Sequence, residues 1–572
     1  MDLTQLPPYQ KRAFVPQQAD LTDVKTVAGL YGQLEQRPIG SDKEFERWIL
    51  DRSELDAALS QAGSILYIRM TCQTDDKAAA GAYATFIQTV SPAVKPINDR
   101  INRRHLEYAR QFALDAKRYE VYDRAVNTDV ELFVQKNVDL QTQVDLISQE
   151  YQTVCAAMTV SFDGKEQTLP QMGKYLLEID RALREKAWRA TAERRSKDKD
   201  KLEDVFDRMF KLRNEISRNA GFSNFTEYQF KSYHRFDYTP QDCKRYHETV
   251  EQFIVPLNGK IMERRRKEMK LKSLRPWDTV VDPLGRAALK PFDEVKELIE
   301  GTKKIFNQID PQLGKQFKEM DDLLLLDLES RKGKAPGGYQ NTLSEARKPF
   351  IFMNAVGVDD DVRTLLHEGG HAFHALACAG NPLVDYRHAP MEFCEVASMA
   401  MELLGGRHID VFYGREQTKR SNREHLEGII HVLAWVANID AFQHWMYEHP
   451  NHSPQERAQA WLGFYEQFGG KFIDWTDLDD VKAYLWHRQL HIFEVPFYYI
   501  EYGIAQLGAL QVWMNARRNP QKALADYRRG LALGGSRPLP ELYKAAGIKF
   551  DFSADIIKPL IEAVTEEWET VS

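Results

Sequence analysis

The segment from Pro390 to Gly405 places two demands on any fold that contains it. Apart from its glutamates (Glu392, Glu395 and Glu402) it is almost entirely apolar or small, so it belongs in a protein interior. Pro390 suits the first turn of a helix. At 100° per residue that helix carries three carboxylates on one stripe: Glu402 lies about 20° from Glu395, with Glu392 and Ser398 about 60° to either side. Carboxylates ionised in an interior without partners cost several kcal/mol each. The fold must therefore bring cations to this stripe, and a divalent metal with histidine ligands is the natural compensation.

Histidines of the right kind stand a short way upstream. Leu365-Leu366-His367-Glu368-Gly369-Gly370-His371 is an H-E-x-x-H motif in a helical pattern, with both imidazoles on one face, four residues apart. That spacing lets two neutral histidines hold one zinc ion while Glu368 reaches the metal-bound water. An aspartate N-cap in Asp359-Asp360-Asp361 and a stop at Gly380-Asn381-Pro382 bound the helix. Gly369 and Gly370 each cost about 1 kcal/mol relative to alanine in a helix interior, so substrate or a packed helix must come close there. His374 is either a further contact to the ligands or a structural histidine.

Spacing discriminates among third ligands. A metzincin needs glycine at position 374 and histidine at position 377, where this chain has His374 and Ala377. A thermolysin-like or aminopeptidase-like site needs a glutamate about 19 residues after the second histidine, and that position is Pro390. Glu395, central on the carboxylate stripe, is the expected third ligand, with Glu392 as its competitor. Glu402, two turns on, can accept a hydrogen bond from the free ring N–H of a zinc histidine, and Ser398 shares the stripe. Three protein ligands leave a fourth position for water, which marks a catalytic zinc, one per chain. Zinc lowers the pKa of that water to about 7, and Glu368 takes its proton as it attacks a carbonyl.

Such an attack creates an oxyanion, which needs hydrogen-bond donors. The segment Trp486 to Gly503 supplies candidates: His491, followed by a helix bearing Tyr498, Tyr499 and Tyr502. Either Tyr498 or Tyr499 lies one turn from Tyr502. An aromatic helix of this composition is also a common core element.

With these blocks in hand, the chain resembles the thimet oligopeptidase / oligoendopeptidase F family of zinc peptidases, in particular its bacterial oligoendopeptidase branch. The resemblance covers roughly residues 180–570. It rests on Pro349-Phe350-Ile351-Phe352-Met353-Asn354, on His367 through His374, on Phe393-Cys394-Glu395-Val396-Ala397-Ser398, and on His491-Ile492-Phe493 through Tyr502-Gly503. It implies zinc held by His367, His371 and Glu395, the set that helical geometry already favours. It also implies Glu368 as general base, with His491 and tyrosines of the 498–502 segment binding the transition state. The spacing between histidine and tyrosines is one residue shorter than in the thimet branch. Tyr502 is therefore the assigned donor, and Tyr498 and Tyr499 stand as alternatives for the second. The stretch Gly337-Gly338-Tyr339 looks like the family's sheet for the substrate backbone. Family members are mainly α, helical ellipsoids of two lobes around a deep channel, with a small β-sheet next to the zinc site. The channel excludes folded proteins, so the implied activity is a zinc metalloendopeptidase that cuts internal bonds of short peptides.

The remaining organisation agrees with a mainly α chain. Residues 101–150, 178–219, 241–271 and 420–446 carry apolar residues at three- and four-residue spacing. A β-branched run from Val154 to Leu169, turned at Asp163-Gly164, reads as a hairpin and sets a seam near residue 170. The expected division is an N-terminal helical lobe, 1–170, and a catalytic lobe, 171–572. A second β region, about 320–355, places apolar strands at 323–328 and 349–354 around a Gly/Pro-rich connection. Its free edge could pair with an extended peptide.

Net charge is −7, from 77 basic and 84 acidic residues mixed along the chain, which argues against nucleic acid as a partner. Five scattered cysteines without a C-x-x-C pair fit a reducing compartment. No secretory signal and no run of 18 apolar residues is present, so the expected location is the cytoplasm, with no membrane partner. Nothing in the sequence bears on oligomeric state. Two alternative functions share these residues: a dipeptidyl carboxypeptidase of similar fold, and a peptide-binding protein whose motif is vestigial. Intact Glu368 speaks against the second, since metal binding alone does not require it.

Overall fold

The structure, a computed structural model, describes residues 3–571. Helix makes up 69% of the chain, which settles the mainly α class. The elements that position the site are, in chain order, α1 (Asp42–Cys72), β1 (Thr159–Phe162), β2 (Lys165–Thr168), α2 (Pro240–Thr249), β3 (Leu326–Glu329), β4 (Tyr339–Leu343), β5 (Lys348–Ala355), α3 (Asp359–Ala377), α4 (Met391–Gly406), α5 (Arg415–Glu448) and α6 (Ile500–Arg518).

The expected hairpin is present. Strands β1 and β2 pair antiparallel with Thr159 opposite Thr168 and Phe162 opposite Lys165. Asp163 (φ 54°) and Gly164 (φ 72°) both take the left-handed conformation of a type I′ turn, which matches the twist of the strands it joins.

The expected sheet is also present but has three strands, not two, in the order β3-β5-β4. Central β5 pairs parallel with β3 and antiparallel with β4, whose Tyr339 faces Phe352 and whose Leu343 faces Lys348. Residues 349–353 of β5 are buried on both faces, and this apolar run is what made the strand readable. Strand β4 lay inside the expected connection because its sequence, Tyr-Gln-Asn-Thr-Leu, is polar and half-buried without an alternating pattern. Residues 323–325 precede β3: Leu324 turns with φ 56° and the strand starts at Leu326.

Compactness divides the chain differently from the expected seam near residue 170. One unit comprises Met1–Glu131, Leu289–Ser421 and Ala505–Phe550; the other comprises Leu132–Ala288, Asn422–Ile504 and Asp551–Ser572. Long-range contacts explain why chain order fails. In the first unit Arg12 pairs with Glu345, Ser53 Oγ accepts the Val384 N–H at 2.7 Å, and the Tyr386 hydroxyl donates to the Arg118 carbonyl at 2.7 Å. The N-terminal helices are thereby tied to the stretch that carries the motif. Their own core is aromatic, built on Phe45 and Trp48 of α1 with Tyr31, Tyr108, Tyr119 and Tyr122.

The second unit buries charge in pairs. Arg457 is enclosed against the rings of Phe206 and Trp486 and bonds Glu203 and Asp207. Asp278, fully enclosed, is held by Arg181 at 2.8 Å and Arg184 at 3.0 Å. Removing one partner of such a pair leaves an uncompensated interior charge, at a cost of about 3–5 kcal/mol.

Candidate active site

The motif helix α3 begins differently from expectation. Its N-cap is Val358, and no aspartate side chain occupies that position. Instead Asp361, in the first turn, accepts the N–H groups of Val356, Gly357 and Val358 at 2.8–2.9 Å. Asp359 is engaged by Tyr413 at 2.7 Å and by Ser421 at 2.8 Å. The acidic first turn thus ties down the chain that enters the helix, by a route that spacing did not reveal. The helix ends at Ala377, shortly before the expected Gly-Asn-Pro stop.

The two motif glycines are explained by packing. A Cβ on Gly370 would sit 2.5 Å from the Ala397 carbonyl oxygen and 2.6 Å from Ser398 Cα, so here the backbone of α4 lies directly on α3. A Cβ on Gly369 would sit 2.5 Å from the Phe306 ring. Of the two sequence-level explanations, a packed neighbour is the one realised, on both sides of the helix. Close approach of α4 is also what brings its carboxylate stripe to the histidines.

His367, His371 and Glu395 converge, each offering one ligand atom within 4.8 Å of the others. Glu395 Oε2 lies 3.3 Å from His367 Nε2 and 3.6 Å from His371 Nε2. A tetrahedral ion with bonds of about 2.0–2.2 Å separates its ligand atoms by roughly 3.3–3.6 Å, so these residues fit a zinc ion. The two rings stand nearly perpendicular, at 81° with centroids 4.9 Å apart. Glu402 Oε1 meets His367 Nδ1 at 2.6 Å, which directs Nε2 toward the ligand position. Ser398 Oγ donates to Glu395 Oε2 at 2.9 Å. Glu392 is buried on the same helix but does not belong to the convergent group.

Burial opposes charge throughout this cluster. It would raise Glu395, but the neighbouring histidines and Ser398 more than offset it, and the carboxyl stays below its ordinary range. Burial lowers His371 to about 4. For Glu368, burial is again the largest effect and raises the carboxyl to about 7, with the nearby Glu395 acting in the same direction. His374 is buried against the Phe393 ring at 5.8 Å, its Nε2 has no hydrogen-bond partner, and burial lowers it to about 3. It makes no hydrogen bond to a ligand and packs as a neutral structural ring.

Strand β4 is the sheet edge nearest the motif. The Gln340 backbone N–H reaches the Glu368 carboxylate, a contact that sequence reasoning missed because β4 itself was not legible. Among the expected backbone-binding residues, Gly337 takes φ 94° and its carbonyl accepts from Asn354 at 2.9 Å. Gly338 stands beside the Phe352 carbonyl and Thr364. The Tyr339 side chain is committed elsewhere: its ring stacks on Phe352 at 4.7 Å and its hydroxyl bonds Thr71 at 2.6 Å.

The second unit holds its own cluster. His491 lies in a short helix, Leu490–Glu494, with ring centroids 4.6 Å from Tyr499, 5.9 Å from Tyr502 and 6.2 Å from Tyr498. Tyr498 and Tyr499 precede α6 and do not lie on it as expected; Tyr502 is in its first turn. Phe497 causes the break. It is fully buried with φ 65°, a left-handed conformation that a bulky residue keeps only when its surroundings hold it. Here Arg235 donates to the Phe497 carbonyl at 2.7 Å and to Glu501 at 2.6 Å, while Gln443 accepts the Phe497 N–H at 2.8 Å.

Two further residues fix His491, and neither was signalled by spacing. The Trp435 indole N–H donates to Gln489 Oε1 at 3.0 Å, and Gln489 Nε2 meets His491 Nδ1 at 2.7 Å. An indole nitrogen can only donate, so the amide must present Nε2 to the imidazole. Nδ1 is therefore the acceptor and Nε2 carries the proton. Burial lowers His491 to about 4, so the ring is a neutral donor at neutral pH. The Tyr499 hydroxyl also bonds Gln489 and Trp435.

No described helix is long and apolar enough to cross a membrane. Comparison with known proteins gives a consistent result. The profile of peptidase family M3 matches residues 175–560, and that of the peptidase M3 N-terminal domain matches residues 14–133. The chromosomal oligoendopeptidase F of Lactococcus lactis subsp. cremoris is 29% identical over 154 residues, 26% of this chain and 24% of that protein. An oligoendopeptidase F homolog of Borreliella burgdorferi is 23% identical over 314 residues, 52% of this chain and 50% of that protein. These alignments span half or less of the curated relatives' length. Among solved structures, Pz peptidase A with an inhibitor superposes with a TM-score of 0.88 at 26% identity, covering 98% of this chain and 99% of that one.

Proposed function

The chain belongs to peptidase family M3, and on that premise we propose that it is a zinc-dependent endopeptidase acting on short peptides. The observation that carries the reading is the convergence of His367, His371 and Glu395, with Glu368 on the same helix between the two histidines. Zinc, when bound by these three, supplies a Lewis acid that polarises the scissile carbonyl and acidifies the attacking water.

The chain's own residues do the rest. Glu402 holds the His367 tautomer, so that Nε2 is the ligand atom, and Ser398 holds Glu395. Glu368 takes the proton of the attacking water and returns it to the leaving amine; the Gln340 N–H keeps its carboxylate in position. An extended substrate can add to the open edge of β4, where main-chain hydrogen bonds read no side chain and suit varied sequences. His491, with its proton on Nε2, and the phenol of Tyr502 are the donors to the oxyanion. Tyr498 and Tyr499 are the alternatives for the second phenol: the Tyr499 oxygen accepts from Gln489 and Trp435, which leaves its own proton available to donate.

A decapeptide blocked at both ends tests the cleavage mode. Mass analysis is expected to find internal fragments. No cleavage of the blocked peptide, with dipeptides released from its free-carboxylate form, would replace the reading with a dipeptidyl carboxypeptidase. No cleavage of either peptide by the zinc-loaded protein would leave a peptide-binding protein.

A further inference from the structure

We propose that the second unit contains another divalent-metal site, held by Cys243, Asp440 and His444. Cys243 and His247 are one turn apart on α2, and Asp440 and His444 are one turn apart on α5, so each helix presents its pair on one face. One donor atom each from Cys243, Asp440 and His444 lies within 4.8 Å of the other two. Cys243 and Asp440 are 0% exposed and His444 is 2% exposed, so solvent does not serve these groups.

Three polar atoms of the site have no protein partner either. Both ring nitrogens of His444 and Asp440 Oδ1 are buried without a hydrogen-bond partner. His444 Nε2 lies 3.4 Å from Asp440 Oδ2, a long contact. The walls near His444 are aromatic, Phe497 at 5.1 Å and Phe230 at 6.0 Å between centroids, and offer it no acceptor. Interiors seldom leave an imidazole and a carboxylate oxygen unanswered side by side. A cation bound by Asp440, one ring nitrogen of His444 and the Cys243 thiolate answers the carboxylate and one side of the imidazole.

The fourth residue has a supporting place. His247 Nε2 meets Asp440 Oδ2 at 2.8 Å, the arrangement in which an imidazole orients a ligating carboxylate. A donor set of sulfur, nitrogen and one carboxylate suits zinc and its borderline-soft neighbours, whereas magnesium and calcium require oxygen. All three donors are buried, and an ion bound by them would pin α2 to α5. It is independent of the peptidase reading.

Sulfur separates this site from the one formed by two histidines and a glutamate. The full-length protein expressed in cobalt-supplemented minimal medium is expected to hold two cobalt ions per chain. It should also show a near-ultraviolet thiolate-to-cobalt charge-transfer band. His371→Ala should lose one ion and keep the band; Cys243→Ser should lose one ion and the band together. If the wild-type protein holds a single cobalt and shows no such band, the proposal is overturned whether or not the Cys243 variant folds. A band that survives Cys243→Ser would assign the sulfur to another cysteine and overturn it equally.

Discussion

The α3–α4 pair and the His491–Tyr502 segment both collect polar side chains in a buried setting, but they are built in opposite ways. In the first, regular helices do the positioning. His367 and His371 are one turn apart, Glu395 and Glu402 two turns apart, and Gly370 lets the helices touch. In the second, the key residues leave the helix. Phe497 is held in a left-handed conformation by Arg235 and Gln443, and the His491 proton is set by Gln489 and, behind it, Trp435. The first arrangement is local and periodic; the second depends on side chains contributed from far along the chain. The two should therefore fail differently under mutation, the first through loss of metal and the second through loss of rate with metal retained.

The largest effect is expected on the periodic side. Glu395→Gln should weaken zinc binding beyond the roughly 10–100-fold typical of losing an outer-shell partner, measured by competition with a chelator. Glu392→Gln should leave the affinity unchanged, and the reverse order would move the ligand to Glu392. On the other side, Tyr502→Phe should retain zinc and lose about 10²–10³-fold in kcat, with KM little altered. Tyr498→Phe and Tyr499→Phe should differ in rate, and the larger loss identifies the second donor; equal, negligible losses would remove both from the oxyanion side.

A smaller effect is expected one step further out. Gln489→Leu should lower kcat by roughly tenfold with zinc unchanged, and ¹⁵N spectra should show that His491 no longer keeps its proton on Nε2. A rate loss with the tautomer intact would contradict the Trp435–Gln489–His491 chain. The smallest effect concerns stability. His491 is lowered to about 4 by burial, against an unfolded value of about 6.5. The unfolded chain therefore binds the extra proton as pH falls below about 6.5, and the folded protein loses stability progressively down to about 4. Denaturation curves of His491→Gln should be flatter than those of the wild type across that window.

The same contrast explains what could be read in the sequence. Spacing on helices put forward His367, Glu368, His371, Glu395 and Glu402 as candidates, because a 3.6-residue period converts sequence separation directly into shared faces. The hairpin at Asp163-Gly164 was equally legible from its turn chemistry. Strand β4 was not, because Tyr-Gln-Asn-Thr has neither an apolar run nor alternation, and the Gln340 contact was hidden with it. Gly369 and Gly370 announced close approach without naming the neighbour, and only the fold identifies Phe306 and Ala397-Ser398. Val358 as N-cap and the break at Phe497 follow from contacts that no local pattern encodes. Trp435 and Gln489 meet across 54 residues of chain.

The most direct test of the central claim is the zinc content and peptide-cleavage rate of Glu368→Gln. The substitution keeps size and helix propensity but removes the base, so the variant should bind as much zinc as the wild type and lose about 10²–10⁴-fold in rate. A variant that retains its zinc and still cleaves peptides at the wild-type rate would contradict the assignment of Glu368, and with it the mechanism built on this helix.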